Sequence, residues 1–111
     1  MKIGSYQVGR ATVVVPREAI VQAEVDDVRR AVEQAATPGS GWVVLDLSEV
    51  PFIDSAGLEL LCELQQLCID NRGRLKLAVA SDICSEILRL NDLAGRFEAY
   101  GSVEEAARSV N

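Results

Sequence analysis

Apolar residues along this chain alternate with polar ones, bunch into short runs, or recur every three to four positions, and each pattern predicts an element. Residues 5–8 and 11–15 read as two short strands, with Gly9-Arg10 as the tight turn between them. Val21, Val25, Val28, Val32 and Ala35 recur at spacings of four, three, four and three, which is one face of a helix. Thr37-Pro38-Gly39-Ser40-Gly41 ends that helix in a loop. Residues 42–47 are apolar except for Asp46, the pattern of a strand in the middle of a sheet covered by helices.

A second helix is predicted over residues 55–71, with Gly73 just past its end. Glu59, Glu63, Gln66 and Asp70 share one narrow stripe that should face solvent. The apolar positions, Leu58, Leu60, Leu61, Cys62, Leu64, Leu67, Cys68 and Ile69, cover an arc of roughly 220° at about 100° per residue. Gln65 is the one polar interruption. A helix lying on a sheet needs less than that, so flanking helices or a partner protein should cover the remainder.

Residues 75–80 form another buried run, and Ser81-Asp82 opens a short helix carrying Ile83, Ile87 and Leu90. Residues 97–100 read as a last strand. Ser102 and Glu105 then fit a capping box that opens a final helix reaching Val110. The order is β-β-α-β-α-β-α-β-α. Strands that alternate with helices after an N-terminal hairpin imply an α/β fold, with a mixed, mostly parallel sheet of four to five strands and about four helices. The strands at Val43, Leu75 and residues 11–15 should be central. One domain over residues 1–111 is expected, long enough to bury its own core.

Charge narrows the function classes. The net charge is −6, from 17 acids against 11 bases. The densest basic spots are only Arg29-Arg30 and Arg72-Gly73-Arg74. Neither nucleic acid nor an anionic membrane is an expected partner. Histidine is absent and no Cys-x-x-Cys occurs, so no metal site or cofactor is expected. Cys62 and Cys68 lie about 240° apart around their helix, at ~100° per residue, and cannot bridge. Both should pack in or near the core as thiols in a reducing cytosol. No apolar stretch resembles a signal peptide or a membrane span, and a cytoplasmic protein is expected.

The residues with most chemical content are Pro51-Phe52-Ile53-Asp54-Ser55-Ala56-Gly57-Leu58, between a strand and the leucine-rich helix. Asp54 and Ser55 both suit a helix start, where a side-chain oxygen accepts free N–H groups. A hydroxyl at that position is also where a phosphate sits in a favourable field. Ser55 is therefore either a cap or a phosphorylation switch. Asp46 is assigned to a turn. No base stands near Ser55 in the sequence pattern and no G-x-x-x-x-G-K loop occurs, so an enzyme is not expected.

These residues resemble the STAS family, the domain of bacterial anti-sigma factor antagonists. The segment Val43-Val44-Leu45-Asp46-Leu47-Ser48-Glu49-Val50 leads into Asp54-Ser55-Ala56-Gly57-Leu58, which is similar to the family's D-S-[AS]-G-L signature. The tail Leu90-Asn91-Asp92-Leu93 and Ser102-Val103-Glu104-Glu105-Ala106 follows the family's usual ending. The resemblance implies a transcription regulator that binds an anti-sigma factor, a serine kinase of the GHKL type. Phosphorylation of Ser55 would break the complex and a serine phosphatase would restore it. Asp54, Ser55, Ala56, Gly57 and Glu18 are the implied partner-binding residues. The family's Gly-Glu-x-Asp loop is altered here to Arg17-Glu18-Ala19-Ile20, which keeps only the glutamate. Such domains also serve as accessory subunits of lipid-transport ABC systems and as parts of signalling assemblies. A receiver domain phosphorylated on Asp46 is a further alternative. It lacks the paired acids that would hold magnesium and a lysine after Lys76.

Overall fold

Val8 and Ala11 face each other across a two-residue turn, and Gly9 supplies a φ of +60°, which short hairpin turns require at their first position. The turn joins β1 (Ile3–Val8) antiparallel to β2 (Ala11–Pro16). The computed structural model describes residues 1–79, 81–93 and 95–110. Three further strands, β3 (Val43–Asp46), β4 (Leu75–Ala78) and β5 (Glu98–Tyr100), each add parallel to the one before. The sheet order is β1-β2-β3-β4-β5, so β2, β3 and β4 are central as their apolar runs imply.

Helices α1 (Val25–Ala35), α2 (Ser55–Asp70) and α3 (Asp82–Leu90) are the crossovers between the parallel strands, and α4 (Val103–Arg108) ends the chain. Strand order advances in one direction, so right-handed crossovers place α1, α2 and α3 on the same face. The core confirms this. Val14, Val43, Leu45, Leu75 and Leu77 pack with Val28, Val32, Leu60, Leu61, Leu64 and Leu88 in one cluster. The alternate strand positions Val13, Val15, Val44 and Ala78 pack on the other side with Ala106 of α4. Burial on both faces is why these strands carry unbroken apolar runs.

Lys76 is the exception on the α4 face. It is 5% exposed, its Nζ donates to Glu98 Oε1 at 2.6 Å, and it lies 5.8 and 5.7 Å from the ring centres of Trp42 and Tyr100. A buried ammonium needs such partners.

Several boundaries differ from expectation by one or two residues, and three differences bear on the fold. The strand predicted over residues 75–80 ends at Ala78, and Ala80 lies outside the described residues. The helical face beginning at Val21 is interrupted. Ile20 still bridges Ile53 in a parallel pair, Val21 is extended, and a 3-10 turn over Gln22–Glu24 precedes α1. At the end of α2 the left-handed residue is Arg72 (φ 65°), not the glycine. Arg72 N–H bonds Ile69 C=O at 3.0 Å and Gly73 N–H bonds Cys68 C=O at 2.8 Å, the paired bonds of a Schellman end.

The arc on α2 is closed largely from within. Gln65 Nε2 donates to Arg96 C=O at 2.6 Å, tying α2 to the segment before β5. Glu59, Glu63, Gln66 and Asp70 are exposed. Cys68 and Cys84 are buried, while Cys62 is half-buried against the core.

Two outcomes follow from this packing. A Cβ on Gly73 would stand 2.0 Å from the Gly41 carbonyl carbon, whereas nothing lies within 4 Å of one on Gly95. Gly73→Ala should therefore lose about 3 kcal/mol or more in urea unfolding, and Gly95→Ala should be close to neutral. Burial pushes the Cys68 thiol up to about 12. The unfolded chain releases that proton first, so stability should fall as pH rises above the ordinary thiol range. In native protein a slow thiol reagent should reach Cys62 before Cys68 or Cys84; labelling of Cys68 first would contradict this packing.

Candidate functional site

The first turn of α2 is built around Asp54. Its backbone is extended (φ −89°, ψ −176°) and its Oδ1 accepts the Gly57 N–H at 2.8 Å, the standard bond of an N-cap. The second oxygen is also used. Oδ2 accepts the N–H of Gln22 at 3.0 Å, the first residue of the 3-10 turn that leads into α1. One carboxylate thus caps two helical segments 32 residues apart in the chain.

Backbone bonds complete the junction. Ile20 N–H donates to Phe52 C=O at 3.0 Å and Asp54 N–H donates to Ile20 C=O at 3.2 Å. Gly57 lies directly against this crossing, and a Cβ there would fall 2.3 Å from the Ile20 carbonyl oxygen. The glycine in Asp54-Ser55-Ala56-Gly57-Leu58 is therefore a matter of space. Leu58 faces the core at 8% exposure and Ala56 is half-buried against it.

With Asp54 as the cap, Ser55 is left free. It is the first residue of α2, it is exposed, and its hydroxyl makes no hydrogen bond to any described residue. Phe52 beside it is 49% exposed. Glu18 is exposed on the facing loop and borders a crevice of about 530 Å³ with Arg17, Ser48, Glu49 and Pro51. Arg17 in that loop is bound to Glu49 at 2.6 Å. Ile20 is fully buried, so the position where family members usually carry aspartate is a core position in this chain.

Two neighbours hold the strand-to-helix loop in place. Asp46 Oδ1 accepts the Ser48 N–H at 2.9 Å, closing the turn expected there. Cys84 Sγ donates to the Val50 carbonyl at 3.1 Å, and burial pushes this thiol up, so it keeps its proton. The role of Gln22 was not visible in the sequence. It acts through its backbone, which carries no residue-type signal.

A hairpin-led sheet with three helices on one face and a capped, serine-bearing helix start defines a recognised class. The family model described as STAS domain matches residues 2–106. The chain belongs to the STAS domain family. Among solved structures, it is similar to a candidate anti-sigma factor antagonist from Thermotoga maritima, at 19% identity and a TM-score of 0.87, over 97% of this chain and 93% of that one. An anti-sigma factor antagonist from Mycobacterium paratuberculosis matches at 19% identity and TM-score 0.86, over 98% and 92% of the two chains. The phosphorylated form of the Bacillus cell fate determinant SpoIIAA matches at 19% identity and TM-score 0.71, over 99% and 100%. At these identities the likeness is one of fold. No curated protein matches the chain in sequence.

The division of labour in the motif can be measured by unfolding. Asp54→Ala should cost about 1–2 kcal/mol as a lost cap, and Gly57→Ala about 2 kcal/mol or more through its collision with Ile20. Ser55→Ala should stay within about 0.5 kcal/mol of the parent. A large loss at Ser55 in denaturant titration would mean that the hydroxyl supports the fold.

Proposed function

We propose that this protein is a cytoplasmic anti-sigma factor antagonist whose binding is switched by phosphorylation of Ser55. The observation that carries the reading is that Asp54, not Ser55, caps α2, which leaves the serine hydroxyl exposed and without a hydrogen bond to any described residue. That hydroxyl stands at the family's phosphoacceptor position. The reading also draws on the solved antagonists that share the fold.

In this reading the unmodified protein binds an anti-sigma factor that is a serine kinase of the GHKL type. Ser55 Oγ attacks the γ-phosphorus of the kinase's ATP, the hydroxyl proton is released, and ADP leaves. A serine phosphatase returns the hydroxyl by hydrolysis. The contact patch comprises Ser55, Glu18 and the surface over Ala56. Asp54 and Gly57 serve it by shaping the turn, since Gly57 is buried and both Asp54 oxygens are engaged. With Ile20 in the core, recognition of the kinase on this loop falls to Glu18.

A phosphate adds about −1.5 to −2 charges at a helix start, a position that tolerates anions. The fold should persist and the effect should fall on the partner. A dianion pressed into a desolvated contact costs on the order of 3–5 kcal/mol, or roughly 10²- to 10³-fold or more in affinity. Ser55→Glu should therefore weaken the complex isolated from the native cell, with little change in thermal midpoint. Ser55→Ala should bind but resist release by kinase and ATP. Mass spectrometry of the co-purifying proteins checks the partner. Stoichiometric phosphate on Ser55→Ala, or co-purification only with an ABC ATPase and permease, would overturn the reading.

A further inference from the structure

The sheet ends on two unequal edges. β5 is three residues long and carries the exposed Glu98, the short and charged kind of edge that resists further pairing. β1 is six residues long, Ile3-Gly4-Ser5-Tyr6-Gln7-Val8, with neither a charge nor a proline, and Ser5, Tyr6 and Gln7 are exposed. Its outward groups follow from β2. Thr12 N–H donates to Trp42 C=O at 3.0 Å, so Thr12 turns its backbone groups toward β3, and its neighbours Ala11 and Val13 turn theirs toward β1. Val8, Tyr6 and Gly4, opposite Ala11, Val13 and Val15, therefore complete the hairpin ladder. Ile3, Ser5 and Gln7 alternate with them and point their N–H and C=O groups out of the sheet.

We propose that a second copy of this chain adds to the β1 edge antiparallel, about a two-fold axis through Ser5, so that one sheet runs through both copies. The strand is self-complementary in that register, as a two-fold interface requires. Ser5 faces Ser5 and Ile3 faces Gln7, which engages all three outward residues of each copy. On the α4 face Tyr6, 48% exposed, falls opposite Gly4 of the second copy. A glycine there leaves the ring room to lie on the strand. The Arg17 guanidinium already lies over Gly4, 3.1 Å from where a Cβ would stand, and offers the ring a cation. On the other face the flank of α1 beside β1 carries Asp27, Arg30, Ala31 and Gln34, one acid and one base, so no net charge opposes the approach. Lys2, just before the strand, falls opposite Val8 rather than a like charge. The inference is independent of the reading of Ser55.

Sedimentation of the full chain over a concentration series tests the association, and engineered thiols test the register. The parent should show a monomer–dimer equilibrium. Ser5→Lys sets two ammonium groups opposite each other at the axis and should weaken it about fivefold or more, with the thermal midpoint of the dilute monomer unchanged. Tyr6→Ala should weaken it as well. In the proposed register the two Ser5 Cα atoms stand about 5.5 Å apart, within reach of a disulfide, whereas the two Gln7 positions are roughly 13 Å apart at about 3.3 Å per residue. Under oxidised glutathione, Ser5→Cys should therefore cross-link two copies, well above the parent's own background, and Gln7→Cys should not. The thiol pair keeps the test open if Ser5→Lys folds poorly. A parent that stays monomeric up to about 1 mM overturns the proposal, as does a folded Ser5→Lys that associates like the parent. Cross-linking of Gln7→Cys as fast as Ser5→Cys overturns it too, since the copies would then meet in another way.

Discussion

The arrangement around Ser55 depends on a single carboxylate that two chain segments share. Asp54 accepts one N–H from the first turn of α2 and one from the turn preceding α1, at 2.8 and 3.0 Å. Each bond satisfies a donor that a helix start leaves without a partner. Together they fix the loop after β2 against the loop after β3. The fit is close enough that Gly57 has no room for a side chain against the Ile20 carbonyl. A second hydroxyl in the same turn has no capping task left, and the Ser55 hydroxyl makes no hydrogen bond to any described residue.

The sheet places that junction where it can be read from outside. β2, β3 and β4 run parallel, so their carboxyl ends lie on one side of the molecule with the loops that follow them. Those loops carry Glu18, the Ser48-to-Ser55 segment and Ser81, and contacts such as Cys84 to Val50 and Arg17 to Glu49 hold them together. Helices on both faces leave the loops as the natural place for recognition, with the core behind them as a rigid support. The end of α2 is fixed as firmly, by the Schellman bonds and by the Gly41–Gly73 crossing. A helix anchored at both ends can carry a charged modification at its tip without moving.

Under the proposed function, a phosphate on Ser55 would act by charge more than by shape. Phosphate at the start of α2 meets the helix dipole favourably and Asp54 and Glu59 unfavourably. These opposing terms leave little net force on the fold. In that proposal the partner surface, which would have to dehydrate against the same group, would take the larger effect. An overall charge of −6 acts in the same direction, since the protein already repels anionic surfaces before any modification.

The sequence by itself determined the element order, the central strands, the exposed stripe of α2 and the place of Asp54-Ser55 at a helix start. Those follow from periodicity and from side-chain chemistry that acts within a few residues. It left open which of Asp54 and Ser55 caps the helix, because both residue types can do so and the choice rests on a donor 32 residues away. It placed Val21 on a helix that begins only at Val25, since the pairing of Ile20 with Ile53 keeps the chain extended there. It put Gly73 just past the end of α2 without showing that Arg72 takes the left-handed turn and that the need for glycine comes from the backbone of Gly41 across the fold. In each case local pattern named the right residues. Contacts between distant backbone groups, which carry no residue-type signal, decided what those residues do.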